Sequence, residues 1–316
     1  MQEISSPSLK IHTDFSGFVN AKKPIVTIGT FDGVHLGHMS IIKRLIELAK
    51  EIDGESVILT FYPHPRMVLY PNDHDLQLLN TPEEKAKLLE QAGINHLVVY
   101  PFSEEFSRIS AFDYVRNLLV TGVRAHTVVV GHDHRFGRNR EGDFNTLLEW
   151  SEMLDFKVEE ISAEEIDDVN ISSTKIRQSL LKGDIATANA FLGYNYQLCG
   201  KVITGERLGN TIGFPTANIL VNYSYKLIPA KGVYAVKVKS SEKTFNGVTN
   251  IGVRPTVDND GKLSIETHIF DFNNEIYDTT ITIEFIARLR DEKKFGSIDE
   301  LKNQIALDIQ KAKELL

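Results

Sequence analysis

His35 and His38 are separated by a leucine and a glycine in the run GTFDGVHLGH, residues 29–38. Imidazoles at that spacing can donate to phosphate oxygens, and Gly29, Gly33 and Gly37 let the backbone approach such a ligand closely. Negative charge on an α-phosphate and on a departing pyrophosphate grows in the transition state. Two imidazolium donors would stabilise it with no covalent nucleophile. Phe31 and Asp32 of the same run are assigned with them to ATP. The run follows the apolar PIVTI and leads into MSIIKRLIELAK, so a strand precedes it and a helix follows. That context, beyond the carboxyl end of a strand, favours nucleotide chemistry over two incidental loop histidines.

A second element is SSTKIR, residues 172–177, read as preceding a short helix, IRQSLLKG. Ser172, Ser173 and Thr174 suit a plain helix cap, but capping alone does not call for Lys175 and Arg177. Hydroxyls and two cations at a helix amino end make a triphosphate clamp.

A third is GERLGNTIGFPTANI, residues 205–219. Gly205, Gly209 and Gly213 fit a loop folding over phosphates, and no Gly-Lys-Ser/Thr follows to make it a Walker loop. In PTAN, Thr216 and Asn218 alternate along an extended segment and share one side, as two neutral oxygen ligands for Mg²⁺ would. An ordinary turn into a strand fits these residues equally well. Farther on, Glu266 in SIETHIFDF shares a face with Ser264 and His268, opposite Ile265, Thr267 and Ile269. On a ligand-facing wall it would accept a proton from an attacking hydroxyl, although the strand alone fits a solvated glutamate better.

These residues need two kinds of scaffold. From about residue 24 to 160, PIVTIG, SVILTF, HLVVY, HTVVVG and FKVEEI alternate with helical patterns, predicting an α/β domain with a parallel, Rossmann-like sheet. After about residue 196, GVYAVKVKS, KTFNGVTNIGV, LSIETHIFDF and TITIEFIARL alternate at period two, predicting an antiparallel barrel or sandwich. The boundary is placed near 186–196, giving domains 1–186 and 187–316. In SIDELKNQIALDIQKAKELL, Ser297 and Glu300 form a capping-box pattern, and Ile298, Leu301, Ile305 and Ile309 share the face of a helix packed on the barrel.

The chain has 316 residues, long enough for two cores, and a hydrophobic fraction of 42% with 25% charged residues excludes disordered and coiled-coil classes. A net charge of -8 argues against nucleic acid as a partner. Cys199 has no partner for an internal disulfide, which fits a reducing compartment. MQEISSPSLK lacks the pattern of a signal peptide, and no apolar run nears the ~18 residues of a membrane span. The expectation is a cytoplasmic enzyme with no membrane partner. His12, His74, His96 and His126 are read as surface or strand-end residues, Trp150 as packing, and 159–168 as a solvated acidic loop. Arg288, Arg290, Lys293 and Lys294 fit either a ligand phosphate or solvent.

GTFDGVHLGH with ISSTKIR resembles the paired signatures of the nucleotidylyltransferase superfamily. TFYPHPR (60–66) and VGHDHRFGRNREGD (130–143) bring the resemblance closer, to the adenylyltransferase domain of the bacterial bifunctional riboflavin kinase/FAD synthetase family. It implies that Pro63, His64, Pro65 and Asp133 shape the flavin and nucleotide pocket. Tyr62 stands where that family usually has an acidic residue, and His134 where Phe is common.

GERLGNTIGFPTAN, the GVY of 232–234, NIGVRPT, ETHIFDF and ARLRDEKKF resemble the riboflavin kinase domain over most of 196–316. This implies a six-stranded barrel in which Thr216 and Asn218 hold the metal of Mg-ATP and Glu266 is the base on the ribityl hydroxyl. Gly205, Gly209, Gly213 and Pro215 would approach ATP. Asn210 replaces a frequent arginine, so a loop contact to phosphate is made by Arg207 or is absent. The implied activity is phosphorylation of riboflavin to FMN, then adenylylation of FMN to FAD, with Mg²⁺ accompanying ATP. Two other readings stand beside it. One is a nucleotidylyltransferase of another substrate with an unrelated β-domain, against which PTAN and Glu266 argue. The other is a flavin-binding protein without catalysis, against which His35, His38, Thr216, Asn218 and Glu266 argue together.

Overall fold

A computed structural model describes residues 8–16, 18, 21–72, 76–132, 134–162, 171–205, 209, 212–240, 243–253 and 263–316. His74, Asp133, Arg207 and Asn210 lie outside the described residues. The chain forms two compact units, Met1–Ser172 and Ser173–Leu316.

In the first unit the apolar runs become a parallel sheet. Its strands are β1 (Lys10–His12), β2 (Ile25–Ile28), β3 (Ser56–Tyr62), β4 (His96–Pro101), β5 (Thr127–Gly131) and β6 (Lys157–Ile161). They pair in the order β1-β4-β3-β2-β5-β6, all in parallel. The edge strand β1 comes from KIH, too short a run to announce itself.

The helices are α1 (Leu36–Glu51), α2 (Pro65–Leu69), α3 (Pro82–Gln91), α4 (Ala111–Tyr114), which runs on into a π-helical stretch at Val115–Gly122, and α5 (Phe144–Leu154). Ile25, Ile58 and Val129 point to one face, where Ile42, Leu45 and Ala49 of α1 and Leu89 of α3 cover them. Val26, Val57, Leu59, Val128 and Val130 point to the other, under Val115, Leu118, Leu119 and Leu147. A sheet covered on both faces needs apolar residues at consecutive positions, and these strands have them. Trp150 packs at the margin of the second layer, edge-on to Phe112.

In the second unit α6 (Ser173–Lys182) and α7 (Ile185–Leu192) precede a closed six-stranded barrel. Its strands are β7 (Gln197–Ile203), β8 (Ala217–Leu220), β9 (Gly232–Ser240), β10 (Lys243–Val253), β11 (Leu263–Ile269) and β12 (Thr280–Arg290). All pairs are antiparallel, in the circular order β10-β11-β8-β7-β12-β9. Closure leaves no unpaired sheet edge. Ile251, Ile265, Ile283 and Phe285 are buried, and Thr249 and Thr267 share a buried hydrogen bond of 2.8 Å.

The closing helix α8 (Ile298–Leu315) packs on Val233, Ala235 and Val248 through Ala312 and Ile309. Its start differs in detail from the expected box. Ser297 Oγ accepts from the Glu300 amide at 3.2 Å, but the Glu300 carboxylate accepts from the Gly296 amide. Ile298, expected on the packed face, is 60% exposed, because it opens the helix before α8 reaches the barrel.

Candidate active sites

From β2 the chain passes to β3 and β4 on one side, then returns to β5 on the other. The carboxyl ends of β2 and β5 therefore flank the point where the strand order reverses, the place an open α/β sheet offers a ligand. GTFDGVHLGH leaves β2 there, and His132 and His134 follow β5.

The loop turns sharply: Phe31, Gly33 and Val34 have φ of 46°, 91° and 38°. Phe31 is buried in the layer beneath α1, which anchors a bend that its own backbone disfavours. The buried Asp32 carboxylate accepts from the amides of Leu79 and Asn80 at 2.9 and 3.4 Å, tying the loop to the segment before α3. Lys85 of α3 donates to the Thr30 carbonyl at 2.6 Å.

His35 is the N-cap of α1, yet its imidazole does not cap the helix; it stacks on His38, with ring centroids 3.7 Å apart and planes 18° from parallel. Gly37 lies between them in the first turn, buried. Phe31 also packs against His38, with ring centroids 4.9 Å apart. Burial, then the neighbouring His35 and Lys85, hold His38 well below the ordinary histidine value, so it is neutral near pH 7. Its Nδ1 is buried and makes no hydrogen bond among the described residues.

Beside this loop, β3 ends in the segment expected to shape the flavin pocket. The Tyr62–Pro63 peptide is cis, and Pro65 opens α2. The Arg66 amide donates to His64 Nδ1 at 3.2 Å, so His64 caps that short helix. Phe61, Phe102, Phe106, Tyr114 and Phe136 form a continuous aromatic cluster here, and His134 stacks on Phe136.

SSTKIR straddles the division between the units: Ser172 ends the first, and Ser173 begins α6 of the second. The helix starts earlier than expected, so Ser173, Thr174 and Lys175 form its first turn instead of preceding it. Thr174 and Lys175 are exposed and Arg177 half-buried, while Ile176 and Leu180 anchor the helix.

On the barrel, alternation places the residues as expected. Asn218 of β8 is paired in register with Glu266 of β11, and Glu266 with Asn250 of β10. Residues opposite each other share a face, so the three polar side chains form a row across three strands. Asn250 was not anticipated, because it joins the row only through the pairing of β10 with β11.

Two glycines of the preceding loop press against this row. A Cβ at Gly205 would overlap the Asn218 amide, and one at Gly209 would come within 3.1 Å of Thr216 Oγ1 and overlap the Phe214 carbonyl. The Gly209 carbonyl accepts from the Phe214 amide at 2.8 Å, closing the loop, and Gly213 takes a φ of +86° in open space. His268 Nδ1 donates to the Pro215 carbonyl at 2.8 Å, seating the turn that presents Thr216.

Thr216 stands at the wall between two hollows. One, of about 250 Å³, joins Glu266 and Asn250 to apolar walls from Phe214, Phe295, Leu301 and Ile305. The other, of about 260 Å³, is lined by Pro215, Asn273, Asn274 and Tyr277 among others. Among the described residues no group of three or more His, Cys, Asp or Glu could hold a metal ion. The oxygens of Thr216 and Asn218 fit Mg²⁺ as the ion prefers to bind beside phosphates, through few protein ligands.

Other sequence readings change. Arg290 is held by Asp308 and lines the first hollow. Arg288 donates to the Lys231 carbonyl at 2.6 Å. His96 is at a strand end, as the first residue of β4, but is buried there at 4% exposure and hydrogen-bonded to His12, the last residue of β1, at 3.0 Å. Glu159 and Glu160 belong to β6 and not to a loop, and Glu159 pairs with Arg44 at 2.5 Å. No helix among the described residues is long and apolar enough to cross a membrane.

Comparison with known proteins follows this two-part geometry. A family model described as FAD synthetase matches residues 19–175, and one described as riboflavin kinase matches residues 192–316. The bifunctional riboflavin kinase/FMN adenylyltransferase of Bacillus subtilis is 38% identical over 294 residues, 92% of each chain. That of Escherichia coli strain K12 is 36% identical over 291 residues, again 92% of each. A crystal structure described as a macrolide-efflux protein from Streptococcus pneumoniae superposes with a TM-score of 0.86 at 29% identity, covering 96% of this chain and 98% of that one. That likeness carries the fold of both units.

Proposed function

The chain belongs to the family of bifunctional riboflavin kinases/FMN adenylyltransferases, and from that premise we infer how its site residues divide the work. It phosphorylates riboflavin to FMN with ATP, and it adenylylates FMN to FAD with release of pyrophosphate. Adenylyl transfer is assigned to the N-terminal domain, read as residues 1–186, and phosphorylation to residues 187–316. The observation that carries this division is the presence of two separate constellations, the stacked His35–His38 pair in one unit and the Asn218–Glu266–Asn250 row in the other.

In the kinase step Glu266 accepts the proton of the ribityl hydroxyl as its oxygen attacks the γ-phosphorus of ATP, and ADP leaves. The apolar hollow beside Glu266 suits the flavin rings and the hollow beyond Thr216 suits the nucleotide, so the transferred group passes at Thr216. Thr216 and Asn218 are the residues that would hold Mg²⁺, which screens charge between phosphates. Gly205, Gly209, Gly213 and Pro215 shape the loop over them, with Arg207 a candidate phosphate contact.

In the adenylyl step an FMN phosphate oxygen attacks the α-phosphorus of ATP. His35 and His38 donate to the phosphate oxygens, and the negative charge that ATP brings favours proton uptake by an imidazole held neutral beforehand. Gly29, Phe31, Asp32 and Gly37 form the loop for this nucleotide, and Ser172, Ser173, Thr174, Lys175 and Arg177 are assigned to its phosphates. Pro63, His64, Pro65 and Asp133, with the aromatic cluster, are assigned to the flavin. A soluble enzyme working on cytoplasmic Mg-ATP completes this reading.

The test is product analysis with riboflavin, ATP and Mg²⁺. His38→Ala should accumulate FMN without FAD, whereas equal loss of both products would refute separate sites.

A further inference from the structure

We propose that Lys85 is a positioning residue for adenylyl transfer: from α3 it holds the Thr30 carbonyl, fixing the bend of the phosphate loop, and sets a positive charge beside His38. Lys85 has this role only if His35 and His38 are the adenylyl-transfer donors, as inferred above.

α3 begins at a complete capping box. Thr81 Oγ1 accepts from the Glu84 amide at 3.2 Å, the Glu84 carboxylate accepts from the Thr81 amide at 3.0 Å, and Pro82 occupies the first turn. Such an end does not fray readily, so the residue that follows it, Lys85, leaves the helix in a defined direction. Its ammonium meets the Thr30 carbonyl at 2.6 Å, and Thr60 Oγ1 lies 3.4 Å from the same oxygen. Thr30 immediately precedes Phe31, the left-handed residue that starts the bend. A charge-assisted donor on that carbonyl fixes the peptide orientation from which the loop departs.

The charge has its own effect. Burial pushes the Lys85 ammonium down from its ordinary value, and the nearby Asp32 carboxylate pulls it back up. Asp32 is itself held by the Leu79 and Asn80 amides, so the loop carries the counter-charge for the lysine that anchors it. Of the charged and titratable groups facing His38, His35 comes from the head of α1 and Lys85 from α3, and both oppose its protonation. An imidazole kept neutral by burial, with a cation beside it, takes up its proton when a polyanion arrives, coupling protonation to nucleotide binding.

Three variants separate the roles. Lys85→Gln keeps a donor for Thr30 and removes the charge; Lys85→Met removes both; Lys85→Arg keeps the charge. His38 titration is followed by NMR of the imidazole in the full chain, alongside pH profiles of FAD formation from FMN. In Lys85→Gln the His38 titration and the matching limb of the pH profile should move to higher pH, and Lys85→Arg should restore both toward the parent. Lys85→Met should also lower kcat/KM for FMN adenylylation by about 10- to 100-fold, with riboflavin phosphorylation unchanged. Coincident His38 titrations in the parent and Lys85→Gln would overturn the proposal. FAD formation that survives His38→Ala would instead sink the underlying reading of the histidine pair, and the NMR titration would still report on Lys85.

Discussion

Asn218 and Glu266 stand directly opposite each other on β8 and β11, so a proposed metal ligand and a proposed base share one rung of the barrel. A carboxylate in that place can take the hydroxyl proton only while ionised. Glu266→Gln keeps the shape and the pairing but cannot accept the proton. Riboflavin phosphorylation should fall by roughly 10²- to 10⁴-fold, the usual share of a general base. FAD formation from supplied FMN should persist. Measuring the two half-reactions separately decides it, and a kinase rate close to the parent's would remove Glu266 from the base role.

The rung also explains a glycine. Gly205 lies so close to Asn218 that a methyl group there overlaps the side-chain amide. Asn218 is 7% exposed, so it has little room to swing away. Gly205→Ala should therefore displace the Asn218 oxygen and lower the kinase kcat by about 10- to 100-fold, the effect of a small misplacement at a reacting centre. The three atoms nearest the new methyl all belong to the Asn218 side chain of β8, so the loss should be read as turnover on protein whose unfolding transition shows it folded. Unaltered kinase turnover would mean that Asn218 does not hold the metal.

Much of this was legible in the sequence wherever the information is local. The strand, loop and helix around His35 and His38 are contiguous, and alternation alone puts Thr216 beside Asn218 and Glu266 beside His268. Asn250 and Lys85 are different. Asn250 enters the kinase row through the register of β10 on β11, and Lys85 reaches the phosphate loop through the packing of α3. The capping pattern of Thr81 and Glu84 does announce α3, but not what Lys85 touches. The proton affinity of His38 is lowered by burial first, then by His35 and by Lys85, and of these only His35 is visible in GTFDGVHLGH.

Where β1 ends and β4 begins, His12 meets His96, and the environment of His96 links stability to pH. His96 opens β4, its Nδ1 is 3.0 Å from His12 Nε2, and its Nε2 faces Glu55 at 3.4 Å. Burial is the largest influence and pushes His96 down; Glu55 pulls it up, while Lys10 and His12 push it down, and the net shift is downward. The unfolded chain therefore binds this proton more tightly than the folded one. Stability from His96 is present above the unfolded histidine value and is lost as pH falls through the lower folded value. Glu55, also shifted down, contributes fully above the ordinary carboxylate value and loses that contribution as pH falls through its lower folded value. Thermal unfolding between about pH 7.5 and 5.5, the window of an ordinary histidine, should show the melting point dropping with acidity. His96→Gln should flatten part of that drop, and His38, also shifted downward, contributes to the remainder. Parallel pH dependences in the parent and His96→Gln would rule His96 out.

The closing helix gives the last prediction. Arg290 Nε lies 3.0 Å from both oxygens of Asp308, and Nη2 lies 2.8 Å from Oδ2. Gln304 donates to the same carboxylate at 3.0 Å. The carboxylate is nearly inaccessible and the guanidinium largely covered. Water therefore cannot replace either partner readily, unlike the case of a surface ion pair. Asp308→Ala strands the Arg290 charge under α8 and should cost about 3 kcal/mol in unfolding free energy. Because Leu301, Ile305 and Ile309 of the same helix wall the hollow beside Glu266, loosening α8 should also raise the KM for riboflavin more than it lowers kcat. Denaturant unfolding with steady-state kinetics checks both. A stability loss below about 0.5 kcal/mol, the range of an exposed pair, would show that Arg290 reaches another partner and that α8 is held by its apolar face alone.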